Sequence, residues 1–336
     1  MQYTNRQWVL THRPQGNLSR SDMELREAPV GELKDGEILI RNLYLSLDPT
    51  NRIWMSDRDQ YLPPVGIGDV MRGSTIGVVE ASRSPRFIEG DIVLPAAGGW
   101  QLYTIAEARA TRKLAPHGIP LTAYLSVLGL TGLTAYFGLL DVCKPQSGEV
   151  IAISAAAGAV GSIVGQIAKI KGCHVVGIAG GAEKCRWIQQ DLGFDAAIDY
   201  KSEDVGAALD RLCPDGVDIS FENVGGPIMD AVFSRLRLGG RMALCGMISG
   251  YNSDAPMAGP TDFGRILMNR LTVRGFVVID YFARASEAFA DLSEWIAAGK
   301  IHWKDHVIDG LEEAPDALQR LFTGNHDGKL IVKISD

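Results

Sequence analysis

From Val150 onward the chain alternates short apolar runs with helical patterns: VIAIS (150–154), HVVGIA (174–179), AAIDY (196–200), DISFEN (218–223), RMALCG (241–246) and TVRGFVV (272–278). That rhythm is expected of successive βαβ units, because a parallel strand is reached only through a crossover long enough to hold a helix. Strands covered by helices on both faces read as near-continuous Val, Ile and Ala runs, as several of these do. The fold class follows: α/β, with a doubly wound parallel sheet.

Before about position 124 the texture changes. Short pieces such as EILIRNLYLSL (37–47), STIGVVEA (74–81) and DIVLPA (91–96) are punctuated by Gly, Pro and Asp, the pattern of a compact β-rich domain. The last segment ends in KLIVKI (329–334), after the turn signal Asn325-His326-Asp327-Gly328, and is expected to return to that first domain. The predicted division is therefore residues 1–124 with 301–336 in one domain and residues 125–300 in the other.

At 336 residues, 46% apolar and 22% charged, the chain has room for two packed cores. A net charge of −7 without long like-charge runs offers no basic stripe, so no nucleic-acid partner is expected. Arg6, His12 and Arg13 interrupt the first residues, MQYTNRQWVLTHRPQG, which lack the apolar core of a secretory signal; a cytoplasmic location is expected. The uncharged run LTAYLSVLGLTGLTAYFGLL (121–140) is about as long as a membrane span. Gly129, Gly132, Gly138, Thr122, Ser126, Thr131 and Thr134 dilute it and no basic cluster flanks it, so buried helices at a domain junction are expected and no membrane partner. Cys143, Cys173, Cys185, Cys213 and Cys245 form no CxxC pair and have no histidine at ligand spacing, so no metal is expected and the thiols read as reduced.

The sharpest local signal is Ser154-Ala155-Ala156-Ala157-Gly158-Ala159-Val160-Gly161, which follows the VIAIS strand and opens a helix with apolar residues at 160, 163, 164, 167 and 168. Strand, turn and helix arrive in the order a dinucleotide site requires. Gly158 lets backbone approach a pyrophosphate, Gly161 lets the helix pack tightly, and the helix N-terminus supplies amide donors and a positive dipole end. Ala156 replaces the first glycine, so the motif is AxGxxG. At the tip of the next strand, where an NAD site carries an acidic residue, the chain reads Ala179-Gly180-Gly181. Without a carboxylate there a 2′-phosphate meets no repulsion, and Lys184 offers it an ammonium partner; NADPH/NADP+ is the expected cofactor.

No GxSxG elbow and no GxxxxGK[ST] loop is present, and the six histidines, His117 among them, form no HExxH. Hydrolase and kinase chemistry therefore lose support. Two loops follow strands at the edge where such sheets bind ligands: Asn223-Val224-Gly225-Gly226, and Gly246 to Asn252 with Ser249 and Tyr251. A phenol at 251 is suited to hydrogen-bond a cofactor or substrate and to stabilise oxyanion charge.

At these residues the sequence resembles the leukotriene B4 dehydrogenase/prostaglandin reductase branch of the zinc-free medium-chain dehydrogenases/reductases, and within it the NADPH-dependent curcumin reductases. The likeness runs through LYLSLDPTNRIWMSD (43–57), YLPPVGIGDVMRG (61–73), LGLTGLTAYFGLLDV (128–142), the glycine turn and its flanks (155–185), FENVGG (221–226), CGMISGYN (245–252) and RGFVVID (274–280). It implies a GroES-like catalytic domain built from both chain ends, an inserted Rossmann domain, and a homodimer joined through the Rossmann domains. Position by position it implies Gly158, Ala159, Val160 and Gly161 as the pyrophosphate turn and Lys184 and Tyr200 at the 2′-phosphate, with Gly180 and Ser249 also cofactor-binding. Asn223, Cys245, Tyr251, Phe276, Val278 and Asn325 would lie around ribose and nicotinamide, and Tyr251, Tyr61 and Arg52 toward the substrate. Where relatives often read DPYMR this chain has Asp48-Pro49-Thr50-Asn51-Arg52, which leaves the substrate open. The expected partner is a small α,β-unsaturated carbonyl compound whose C=C bond is reduced by NADPH. A zinc-free quinone oxidoreductase and a non-catalytic NADPH-binding protein remain as alternatives.

Overall fold

A computed structural model describes residues 3–116, 118–253 and 255–336; Met1, Gln2, His117 and Asp254 lie outside the described residues. Packing divides the chain into two units, Met1–Leu125 with Tyr251–Asp254 and Asp305–Asp336, and Ser126–Gly250 with Ala255–Lys304.

The first unit opens on β1 (Thr4–Leu10), paired antiparallel with β2 (Met23–Pro29). The long β3 (Glu37–Ser46) runs into a short helix, α1 (Thr50–Trp54), and is followed by β4 (Thr75–Ser82), β5 (Ile92–Pro95), β6 (Tyr103–Glu107) and β7 (Thr111–Lys113). β3 pairs with β4 and with β6, and Ile38, Leu39, Ile40 and Leu45 are buried along it. Trp8, Leu10, Leu45, Met55, Met71 and Trp100 build its core.

The second unit is the parallel sheet. Its strands are β8 (Val150–Ile153), β9 (His174–Ala179), β10 (Ala196–Asp199), β11 (Val217–Glu222), β12 (Leu236–Leu244) and β13 (Thr272–Gly275), in the order β10-β9-β8-β11-β12-β13 among the described residues. The helices are α2 (Leu130–Phe137), α3 (Gly161–Ile170), α4 (Ala182–Gln190), α5 (Val205–Leu212), α6 (Gly226–Phe233), α7 (Arg265–Met268) and α8 (Ala285–Ala297). Ala152, Val176, Ile178, Ile198, Leu209 and Phe233 lie in the core between the sheet and its helices. Burying one such aliphatic or aromatic side chain contributes roughly 1.5–3 kcal/mol.

Two strands depart from expectation. β12 begins five residues before the RMALCG run, because Leu236 is buried and pairs with Val217 across a bulge, a pairing hidden by Arg237, Gly239 and Gly240. β13 stops at Gly275, all four of its residues are exposed, and among the described residues it is the sheet's last strand. The uncharged 121–140 run breaks into a 3-10 turn (Leu121–Leu125), α2, and a π turn beginning at Gly138. Among the described residues no helix is long and apolar enough to cross a membrane.

The chain then returns to the first unit through β14 (Asp305–Asp309), α9 (Ala314–Thr323) and β15 (Lys329–Lys333), with β15 seated between β14 and β3. Trp8 Nε1 donates to the carbonyl of Leu311 at 2.8 Å, fastening the two ends of the chain.

Candidate active site

The strand order reverses between β8 and β11: β8, β9 and β10 step one way and β11, β12 and β13 the other. The connections leave the carboxyl ends of β8 and β11 on opposite sides, which opens a crevice there. At that point β8 ends in a turn closed by the Gly158 amide on the Ala155 carbonyl (2.9 Å), with the Gly158 carbonyl accepting from Ser162 as α3 begins. Ala155 holds φ +49°, a strained value for a residue with a side chain. A Cβ on Gly161 would lie 2.5 Å from the Ala155 oxygen and 2.9 Å from Ala156 Cα, so no larger residue fits without moving the turn. Gly158, Ala159 and Val160 thus lead into the ten-residue helix α3, which opens at Gly161, the end at which a helix's first amides have no partner inside it.

The neighbouring turn joins β9 to α4. Gly181 takes φ +101° at the helix start, and its amide donates to Asp199 Oδ1 at 2.7 Å. That hydrogen bond, with a second from the Lys201 amide at 3.0 Å, holds the Asp199 carboxyl below the usual carboxylate range. The Tyr200 ring lies over Gly180, its Oη 2.8 Å from where a Cβ would stand, and Lys184 sits half-buried in the first turn of α4. Gly180, Tyr200 and Lys184 therefore surround one turn.

The third group ties the ends of β8, β11 and β12. Glu222 is fully buried, and its Oε1 accepts from Ser154 Oγ (2.9 Å) and from the amides of Val224 (2.5 Å) and Gly225 (2.7 Å). Ser154 Oγ in turn accepts the Asn223 amide (2.8 Å), while Asn223 Nδ2 donates to the Ser154 carbonyl (2.7 Å). Ser249 Oγ donates to the Val224 carbonyl at 2.6 Å. The Cys245 amide donates to the Glu222 carbonyl, and burial pushes the Cys245 thiol up to about 12, so the sulfur stays protonated. Phe276 follows β13 and packs edge-to-face on Phe221 at 6.2 Å; Val278 opens the next 3-10 turn and is half-buried.

The remaining predicted residues belong to the first unit. Tyr251 is 9% exposed, and its neighbours are anchored there by Asn252 Nδ2 donating to Asn17 Oδ1 (2.8 Å) and Arg58 donating to the Ser253 carbonyl (2.8 Å). Tyr61 is 42% exposed and shares a short hydrogen bond with Thr50, and desolvation of its phenol raises it above its ordinary value. Asn325 is exposed, just beyond α9. Arg52 lies in the same unit. It is 1% exposed, and its guanidinium donates to the carbonyls of Pro14 (3.0 Å) and Gly16 (2.9 Å) and to Ser56 Oγ (2.8 Å), so it braces the 14–16 segment.

Residues 6–114 match the family described as the N-terminal domain of oxidoreductase, and residues 159–298 the family described as zinc-binding dehydrogenase. The chain is 41% identical to the NADPH-dependent curcumin reductase of Escherichia coli (strain K12), covering 98% of this chain and 97% of that protein. It is 40% identical to prostaglandin reductase 1 of Bos taurus, covering 97% and 98%. The crystal structure of CurA in complex with NADPH from Vibrio vulnificus superposes with a TM-score of 0.93 at 43% identity, covering 98% and 99%. The chain belongs to the prostaglandin reductase branch of the medium-chain dehydrogenases/reductases. In this reductase-branch chain no three His, Cys, Asp or Glu side chains among the described residues are gathered as a metal site would need.

The sequence of this branch member pointed to no site role for Ser154, Asp199 or Glu222, which the structure bonds to these turns. A trace was visible, since Ser154 ends the strand and Glu222 lies inside FENVGG, but their partners are 68 residues apart.

Proposed function

We propose that this chain reduces the C=C bond of α,β-unsaturated ketones and aldehydes with NADPH. The observation that carries the reading is the pair of adjacent turns: a glycine turn at 158–161 that a Cβ would fill, beside a strand tip where Gly180 and Tyr200 stand and no carboxylate side chain arises from the tip itself. The first suits a pyrophosphate and the second a 2′-phosphate, with Lys184 as its ammonium partner. The Escherichia coli relative is named for NADPH and the Vibrio vulnificus CurA was solved with it, which supports the same cofactor here.

When bound, NADPH supplies a hydride to the substrate's β-carbon. Negative charge then develops on the carbonyl oxygen, and a donor placed at that oxygen lowers the barrier. Tyr251 is assigned as that donor and as the proton source for the α-carbon. Asn223, Cys245, Ser249, Phe276, Val278 and Asn325 are assigned to the nicotinamide and ribose, and Tyr61 to the substrate side.

The assembly proposed is a homodimer joined at β13. Among the described residues its backbone edge is paired on one side only, all four residues are exposed, and the preceding segment exposes Phe263 (67%), Leu267 (74%) and Met268 (67%).

The test is NADPH oxidation against enals, enones, curcuminoids and quinones with products identified by mass. Saturated ketones or aldehydes are expected; hydroquinone alone, or no turnover, overturns the reading. Tyr251→Phe is expected to lower enone turnover by roughly tenfold to a thousandfold. Unchanged turnover removes Tyr251 from the reaction.

A further inference from the structure

We propose that Glu222 is the positioning residue of the cofactor-facing turn: its Oε1 gathers the Ser154 hydroxyl and the Val224 and Gly225 amides, and so fixes the Asn223 turn at the carboxyl end of β11. The proposal rests on the dinucleotide reading above and extends it to a residue outside the pocket surface.

The geometry has three parts. First, the hub sits where the strand order reverses, joining the end of β8 to the end of β11 through Ser154, whose hydroxyl donates to Glu222 and accepts from the Asn223 amide. One side chain thereby links the strand that carries the glycine turn to the strand that carries Asn223. Second, the Glu222 backbone carbonyl accepts the amides of Cys245 (2.9 Å) and Gly246 (3.1 Å), and the turn's own carbonyls at Asn223 and Val224 accept from Ile248 (3.1 Å) and Ser249 (3.0 Å). A change at Glu222 therefore reaches the loop before Tyr251 as well. Third, Glu222 is 0% exposed and its Oε2 is buried with no hydrogen-bond partner among the described residues.

A carboxylate with one oxygen accepting three donors and the other accepting none is an expensive device for holding charge. It is an effective one for holding donors, because three buried N–H and O–H groups at one point need a single acceptor with more than one lone pair. Desolvation raises the Glu222 carboxyl and the hydrogen bonds on it oppose that rise. The acceptor geometry, and not the negative charge, is what the turn requires. A glutamine keeps the accepting oxygen and puts its amide where Oε2 now has no partner.

The experiment compares wild-type protein with Glu222→Gln, Glu222→Ala and Ser154→Ala. NADPH affinity is read by fluorescence titration, melting is read without ligand, and enone KM and kcat are read at saturating NADPH. Glu222→Gln is expected to hold NADPH within about threefold of wild type, while Glu222→Ala weakens it about tenfold or more by leaving three buried donors without an acceptor. The loss should fall on NADPH affinity more than on the kcat read at saturating NADPH, and Ser154→Ala should weaken NADPH by about three- to tenfold. Folded Glu222→Ala that binds as tightly as wild type overturns the proposal, as does Glu222→Gln that fails as badly as Glu222→Ala. If Glu222→Ala does not fold, Ser154→Ala decides, and unchanged binding there overturns it. Wild-type protein that binds no NADPH defeats the dinucleotide reading itself; wild-type binding beside unaffected variants defeats only the role of Glu222.

Discussion

Lys184 shows what a single position can carry. It lies in the first turn of α4, beside the Gly180–Gly181 turn over which Tyr200 packs. A charge-assisted hydrogen bond contributes about 1.5–3 kcal/mol, which is roughly a tenfold to hundredfold effect on binding. Lys184→Ala should therefore raise the NADPH KM by about tenfold or more and leave that for NADH nearly unchanged. Equal effects on both cofactors would remove the 2′-phosphate role. The place of Lys184 in the first turn of α4 was legible in the sequence because it is local, five residues past the end of a readable strand. The burial of Arg52 was not, because its partners at 14 and 16 are brought to it only by folding.

At the scale of elements, the β9–α4 turn depends on the end of β10. The Asp199 carboxylate accepts the Gly181 and Lys201 amides, and the first of these holds it below the ordinary carboxylate range. A carboxyl depressed in the folded state adds stability above its unfolded value, near pH 4, and that contribution is lost as pH falls through the folded value. Asp199→Asn keeps an acceptor oxygen and removes the charge. Its melting temperature should lie below wild type at pH 7, and the gap should close as the pH is lowered from about 5 to 3. A gap independent of pH would mean that the charge plays no part. Strand positions were legible wherever burial on both faces made a continuous apolar run, as at β8 and β9. The start of β12 was hidden because two arginines and two glycines lie in a stretch whose pairing, not its polarity, makes it a strand.

For the whole molecule, an exposed edge such as β13 is a template for another strand. Wild-type protein is expected to sediment as a dimer, and Val273→Asp, which puts a carboxylate on that edge, should shift it toward monomer at micromolar concentration. A monomeric wild type, or a variant that stays dimeric, would discard this interface. By itself the sequence determined the alternation of strands and helices, the glycine turn, the missing acid at the strand tip and the family, because each is written in spacing along a few neighbouring residues. The tertiary structure alone decided that Arg52 is buried, that β13 is an exposed edge, and that Ser154, Glu222 and Asn223 form one network. Those facts depend on which distant residues meet, and burial and hydrogen bonding at a point in space leave little trace in the chain on either side.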